Sequence, residues 1–304
     1  GLRSVPARRS AGPRDKGSNA VAVGRDAGCS NQGEYAVAVG YLAGQSNQET
    51  NAVAVGREAG SNNQGAGGTA VGRQAGAISQ GIDATAVGYL AGQSNQGEDA
   101  VAVGHGAGRV NQTNLAVAVG ERAGEFNQGQ AATAIGHDSG STGQGGNATA
   151  LGNAAGRTSQ GSQAVAVGRL AGTTSQGDGA VAIGHEAGSQ GQNSVTIAIG
   201  TEAGEVAQGT RSIALGEHAG QSVQGSYSIA VGPNAGSIGQ NNFAIAIGNN
   251  AGCRGQDGTV AIGGSAGREE QGDSAIAIGA NAGSQAQGIN SLAVGTNAGQ
   301  TSQG

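Results

Sequence analysis

A unit of about sixteen residues is repeated eighteen times between Ala20 and the C-terminus, as in the copy AVAVGYLAGQSNQ that begins at Ala36. A period this short cannot hold a helical hairpin or a propeller blade, so each copy must form one coil of a solenoid. The sequence therefore predicts an all-β fold: a single parallel β-solenoid of eighteen coils, with about sixteen residues per coil.

The composition agrees with a narrow interior and not with an ordinary globular core. The chain has 63 Gly, two Phe, four Tyr, and neither Trp nor Met. Apolar volume must therefore come from small and β-branched residues that recur at fixed positions of the unit, which suits stacked, nearly identical layers.

The basic residues are concentrated at the start of the chain. Five of the fifteen (Arg3, Arg8, Arg9, Arg14 and Lys16) precede the repeats, although the net charge of the chain is −5. We predict an extended basic arm over residues 1–16 and the repeat array over residues 17–304. Because the array is acidic, we expect no nucleic-acid partner, and because no apolar run could span a bilayer, we expect no membrane insertion.

The first four columns of the unit, counted from the Ala of Ala-Val-Ala-Val-Gly, predict a β-strand. Side chains alternate across a strand, so columns two and four (Val, Ile, Leu or Thr) share one face and columns one and three share the other. We expect the branched residues to point into the coil. The invariant Ala of column three would then face a neighbouring subunit; the alternative is a narrow solenoid whose own opposite wall covers it. The candidate interface column includes Ala22, Ala38, Ala54, Ala70, Ala86 and Ala102.

Columns five and nine are always Gly, which predicts corners of the coil, and column thirteen is always Gln. Stacked Gln amides can hydrogen-bond along the coils or satisfy buried turn groups, and both interpretations are structural. The predicted Gln ladder comprises Gln32, Gln48, Gln64, Gln80, Gln96, Gln112, Gln128, Gln144, Gln160, Gln176, Gln192, Gln208, Gln224, Gln240, Gln256, Gln271, Gln287 and Gln303.

The sequence gives no sign of catalytic or metal chemistry. The four His lie in separate, non-adjacent coils and are interpreted as solvated, and the G-x-S-x-G spacing around Ser265 arises from the repeat itself. We therefore expect no enzyme activity, cofactor or metal. Cys29 and Cys253 lie too far apart for an intramolecular disulfide and are expected to be free thiols, with an intermolecular bridge as the alternative.

Two further patterns concern the surface. Thr69 and Thr85 interrupt column two, but full Thr ranks are absent, and that column is expected to face inward, so ice binding is kept only as a third hypothesis. Asn111 begins an Asn-Gln-Thr sequence that matches a glycosylation acceptor.

The runs Asn19-Ala-Val-Ala-Val-Gly24, Ser212-Ile-Ala-Leu-Gly216 and Ser228-Ile-Ala-Val-Gly232 resemble the head repeats of YadA-type trimeric autotransporter adhesins. Similar repeats occur in fibre proteins of large viruses. The resemblance implies a left-handed, trimeric parallel β-roll with the Val and Ile columns inside each roll and the Ala column toward neighbouring chains. The sixteen-residue unit departs from the usual length of about fourteen.

These features predict a structural protein of the extracellular space or of a cell or virion surface. Our first hypothesis is a fibre protein that assembles with itself into a filament through stacked solenoid ends and the N-terminal arm. The alternative is a closed trimeric adhesin-like head, or a viral fibre segment, that binds a host surface or matrix.

Overall fold

The computed structural model describes residues 16–256 and 258–301, and it divides into two units, Gly1–Ala148 and Thr149–Gly304. The predicted arm over residues 1–16 lies outside the described residues except for Lys16, and so do Gln303 and the side chain of Gln256. Within the described residues every regular element is a β-strand. The prediction of an all-β parallel solenoid with about sixteen residues per coil is confirmed.

Each coil of the first unit contributes a first strand and a second strand. The first strands are Val21–Val23, Val37–Val39, Val53–Val55, Thr69–Val71, Thr85–Val87, Val101–Val103, Val117–Val119 and Thr133–Ile135. The second strands are Ser30–Gln32, Ser46–Gln48, Asn62–Gln64, Ile78–Gln80, Ser94–Gln96, Val110–Gln112, Phe126–Gln128 and Thr142–Gln144.

The second unit follows the same plan, with fewer second strands toward its end. Its first strands are Thr149–Leu151, Val165–Val167, Val181–Ile183, Ile197–Ile199, Ile213–Leu215, Ile229–Val231, Ile245–Ile247, Val260–Ile262, Ile276–Ile278 and Leu292–Val294. Its second strands are Thr158–Gln160, Thr174–Gln176, Gln190–Gln192, Val206–Gln208, Ser222–Gln224, Ile238–Gln240 and Arg254–Gln256.

Strands of the same type pair in parallel with their counterparts in the next coil. Val37 pairs with Val53 and Ala38 with Ala54, which is a register of one repeat. The shortened copy keeps this alignment, because Ile245 pairs with Val260. Equal columns therefore stack directly above one another within each unit.

Two tight turns close each coil. In the first, the N–H of Ala27 donates to the Gly24 carbonyl (3.4 Å), and in the second the N–H of Ala36 donates to the Gly33 carbonyl (3.3 Å). Both turns have a residue with positive φ at the third position, as a type II turn requires: Asp26 (56°) and Tyr35 (57°).

The interior is formed by alanine and not by the branched residues. Ala38 of column three and Ala43 of column eight are completely buried, and the same columns form a continuous cluster in each unit. The prediction that columns two and four point inward is wrong, and so is a subunit interface at the Ala column. In that column Ala38, Ala54, Ala70, Ala86 and Ala102 are completely buried, and Ala22 packs against the same cluster.

The width of the coil explains this orientation. A Cβ built on Gly44 would lie 3.1 Å from the Ala38 Cβ and 2.6 Å from the Gln48 Oε1. The two walls are thus separated by little more than methyl contact, and a Val or Ile side chain has no room between them. The alternative considered from the sequence, a narrow coil whose own opposite wall covers the alanines, is the one observed.

Candidate interaction surface

The Gln column provides the polar part of this narrow core. The Nε2 of Gln48 donates to the Val37 carbonyl (2.9 Å), to the Ala52 carbonyl (3.2 Å) and to Oε1 of Gln64 in the next coil (3.2 Å). The amide therefore satisfies the corner carbonyls and joins neighbouring coils at the same time, so the two structural interpretations of this column coexist. The other described Gln pairs repeat the intercoil contact within each unit, from Gln32 to Gln144 and from Gln160 to Gln240, and again between Gln271 and Gln287.

With alanine and Gln inside, the branched residues of the first strands form an outward apolar face. We define this apolar face as columns two and four of each unit. In column four the exposed fraction is 36% at Val87 and 39% at Ile135 in the first unit, and 37% at Ile183 and 42% at Leu215 in the second. Apolar side chains repeated in register from coil to coil make this face a candidate interaction surface.

The Thr residues of column two belong to this same face. Thr69 and Thr85 are half-buried, pair with each other on the outside of the coil, and are flanked by Val53 and Val101 in the same column. The expectation that they point inward is wrong, because the strand face that carries them is the outer one. The face is mixed: column two also holds Thr133 and Thr149, with Val, Ile or Leu in the remaining copies.

The corner residues adopt a left-handed backbone conformation that the residue pattern did not predict. Column seven and column sixteen hold residues such as Leu42 (φ 56°) and Tyr35 (φ 57°), and column twelve holds Asn47 (φ 53°). This left-handed conformation costs about 1–2 kcal/mol for a residue with a Cβ. Hydrogen bonds between coils offset that cost, since the Leu42 N–H donates to the Arg25 carbonyl (3.0 Å) and the Tyr35 N–H to the Ser18 carbonyl (2.9 Å).

Charged and aromatic side chains both occur along column six of the first unit. The Arg25 guanidinium lies 4.2 Å from the Tyr41 ring centre, and the Tyr89 ring stacks on His105 with 5.2 Å between centres. Such contacts are exposed and contribute little stability individually. They show that the corner rows are the variable, chemically diverse part of the surface.

One carboxylate on these corners has a shifted pKa. Gln74 donates to the Glu58 Oε2 (2.6 Å) and Arg57 donates to its Oε1 (2.9 Å). These two hydrogen bonds, the Gln74 contact being the larger cause, hold the pKa of Glu58 below its usual range.

The remaining residues singled out from the sequence lie on the outside or in part-buried corners. Cys29 and Cys253 are free thiols of intermediate burial. Asn111 is exposed and its Nδ2 donates to Oδ1 of Asn127 (2.9 Å), within a surface ladder of Asn side chains. Glycosylation of Asn111 stays a prediction. In the part of the chain that the structure describes, no helix is long and apolar enough to cross a membrane.

These features define a class of protein: a repetitive β-solenoid with a small Ala and Gln interior, an outward apolar face and variable corners. The family model described as the YadA head domain repeat (2 copies) matches residues 159–187, 175–203 and 271–298. The chain therefore contains YadA-like head repeats, as its residue pattern predicted. A search of curated proteins found no match. The similarity to viral fibre proteins stays a prediction.

Proposed function

We propose that this chain is an adhesin-like head that stands on a cell or virion surface as a homotrimer and contacts a host surface or matrix. The observation that supports it most is the outward apolar face, which a single coil has no room to bury. The family match favours this interpretation over the filament, which was the first hypothesis drawn from the sequence.

Three chains packed through their apolar faces would remove the exposed Val, Ile and Leu side chains from water. Burial of such side chains is favourable by roughly 25 cal/mol per Å² of apolar surface. The column pattern repeats at every coil of each unit, so the contact would extend along the units and not depend on one patch. A closed trimer would bury the apolar face, whereas a filament joined end to end would leave part of it in water.

In such a trimer the corner residues of columns six and seven would stay exposed and could contact a host surface or matrix. Columns six and seven vary in charge, size and aromaticity from copy to copy, while the interior columns do not. Binding residues are commonly found on loops that a rigid scaffold positions. A structural role, with no chemistry repeated at each coil, agrees with this distribution.

The test is the particle mass of the full chain and of a variant whose apolar face is charged. The triple substitution Ile183→Lys, Leu215→Lys and Ile247→Lys introduces three charges at positions that are 37%, 42% and 38% exposed. We expect the native chain to give discrete particles of three chains by mass photometry and the variant to give monomers, because buried unpaired ammonium groups are costly.

A matched control adds the same charge at exposed corners, with Ser162→Lys, Thr201→Lys and Ser274→Lys. We expect it to keep the native particle mass. Fibres whose length grows with concentration, seen by electron microscopy, would instead favour the filament. Native monomers would refute the trimer and reopen the ice-binding hypothesis, for which the outward Thr and Val rows would be the surface to test.

A further inference from the structure

The four histidines of this chain fall into two groups of the same kind. In each group two histidines lie two coils apart, and a glutamate occupies the coil between them. His105 and His137 flank Glu121 in the first unit, and His185 and His218 flank Glu202 in the second. The sequence interpretation treated these residues as isolated because no two histidines lie in adjacent coils, and it did not consider the intervening carboxylates.

The second group brings its ligand atoms together. The His185 Nε2 lies 3.4 Å from the Glu186 Oε1, and the His218 Nε2 lies 3.2 Å from the Glu202 Oε2. One ligand atom each from His185, Glu186 and Glu202 lie within 4.8 Å of one another. Three side chains from two successive coils thus meet at one corner, and His218 of the following coil contacts Glu202.

The backbone holds these side chains in place. Glu186, Glu202 and His218 all occupy column seven, with φ of 57°, 54° and 53°. Their N–H groups donate to the preceding coil, to the carbonyls of Arg169 (3.0 Å), His185 (2.9 Å) and Thr201 (2.9 Å). The spacing of the ligands is therefore set by the coil stacking, so little ordering is needed to bring them to a common ion.

The electrostatics at this corner favour a cation. The Gln221 Nε2 donates both to the Glu202 Oε2 (2.8 Å) and to the Glu205 Oε2 (3.0 Å), so a third carboxylate lies beside Glu186 and Glu202. The Arg169 Nη1 lies 3.0 Å from the His185 Nε2 and 3.9 Å from the Glu186 Oε1. A guanidinium can only donate, so the His185 Nε2 accepts in this contact.

We propose that His185, Glu186 and Glu202 bind a divalent transition metal of the Zn²⁺ type. Imidazole nitrogen and carboxylate oxygen are both ordinary Zn²⁺ ligands, at about 2.0–2.2 Å. The metal takes the position that the Arg169 guanidinium now holds beside His185, and this arginine, whose side chain is 56% exposed, turns to solvent. The bound ion cross-links two successive coils of the second unit.

The first group provides an internal comparison. Its two imidazoles contact opposite oxygens of one carboxylate, with the His105 Nδ1 3.8 Å from the Glu121 Oε1 and the His137 Nε2 4.0 Å from the Glu121 Oε2. The nearby Asp138 carboxylate is held by Arg122 at 2.9 Å. These groups share a carboxylate but do not converge on one point as the second group does.

The test is calorimetric titration of the full chain with Zn²⁺ at pH 7.5, in a Cys29→Ser, Cys253→Ser background that removes thiol binding. We expect one saturable site per chain. Both His185→Ala and Glu202→Gln should weaken binding by at least about tenfold, whereas the matched variant Glu121→Gln should leave it unchanged.

Three results would overturn the proposal: no saturable Zn²⁺ binding, binding that persists in Glu202→Gln, or equal loss in Glu121→Gln. Competition by Ca²⁺ at similar concentrations would also overturn it, since that would indicate a site made of carboxylates alone. Particle mass measured on the same samples keeps this result separate from the trimer proposal, because the ligands all come from one chain.

Discussion

Substitution of one column-five glycine tests the close approach of stacked coils, and the chain provides its own control two residues away. Gly104 has φ of 130°, and a Cβ built on it would lie 2.6 Å from the Gly120 carbonyl oxygen in the next coil. Gly106 has φ of 65°, and the nearest atom to its added Cβ is the Arg122 Cγ at 3.8 Å. Alanine at these two sites adds the same methyl group in different surroundings.

The two costs can be estimated separately. Gly106→Ala places alanine in the left-handed region, which costs about 1–2 kcal/mol, and other copies already hold Leu42 or Glu58 at this column with φ near 57°. Gly104→Ala combines a backbone conformation that costs about 1–3 kcal/mol with an overpacking cost of about 1–3 kcal/mol against a backbone that cannot turn away. We therefore expect Gly104→Ala to be more destabilising than Gly106→Ala by roughly 1–4 kcal/mol.

Hydrogen exchange measured by mass spectrometry is the suitable assay, because a repeat array opens locally and a global unfolding midpoint would average over all coils. Amides of Val101–Val103 and Val117–Val119 should exchange faster in Gly104→Ala than in Gly106→Ala, at equal protein concentration. Strands four or more coils away serve as the unaffected reference. Equal exchange in the two variants would show that the coils can separate at no cost, and the packing argument would be wrong.

Three further predictions concern the core, an acidic corner and the arm. Gln128→Leu should destabilise the chain by about 1–3 kcal/mol, because it removes the buried Nε2 that donates to the Val117 and Ala132 carbonyls, whereas the exposed Asn127→Ala should cost less than about 1 kcal/mol; chemical denaturation of both variants checks this. Because the pKa of Glu58 is lowered on folding, its stabilisation is present above the unfolded pKa and is lost as the pH falls through the folded one. Glu58→Gln should therefore flatten the acid limb of the stability curve, and an unchanged limb between pH 3 and 6 would contradict this. Deletion of residues 1–16 should leave the particle mass unchanged if the assembly is a closed trimer, and should abolish fibres if the arm joins units into a filament.

The sequence was sufficient to predict the fold because the repeat constrains it so strongly. The period excluded other repeat architectures, the first four columns located a strand in each coil, and the invariant Gly of columns five and nine marked corners. The alternation of the strand also separated the two faces correctly. What failed was the choice of which face lies inside.

The choice of the inner face was wrong because hydrophobicity and side-chain volume favour opposite faces of the strand. Val and Ile gain more from burial than Ala does, so transfer free energy places Val37 and Val39 inside. The contact between the added Cβ at Gly44 and the Ala38 methyl shows that the available width decides instead. The invariance of Ala at column three was the signal, since a position that never accepts a larger side chain is limited by space.

The candidate metal corner was missed for a different reason. Residues one coil apart in sequence are neighbours in space, so a histidine must be compared with what stands sixteen or seventeen residues away. Read in this way, Glu186, Glu202 and His218 form one stack in column seven, and His185 joins it from the coil of Glu186. The left-handed φ of column seven, which fixes where these side chains leave the backbone, has no clear signature in residues as different as Glu, His and Leu.

The narrow coil also links the fold to the proposed assembly. A solenoid that can hold only methyl groups and one amide inside must carry its larger apolar side chains on the outside. The fold therefore buries little branched apolar surface within one chain. The hydrogen bonds between stacked coils do not remove the Val, Ile and Leu side chains of the apolar face from water. Association through the apolar face would supply the burial that a wider β-solenoid obtains within its own walls. On this argument the stability of the coils should depend on protein concentration, and it should lose that dependence when Ile183, Leu215 and Ile247 carry lysine.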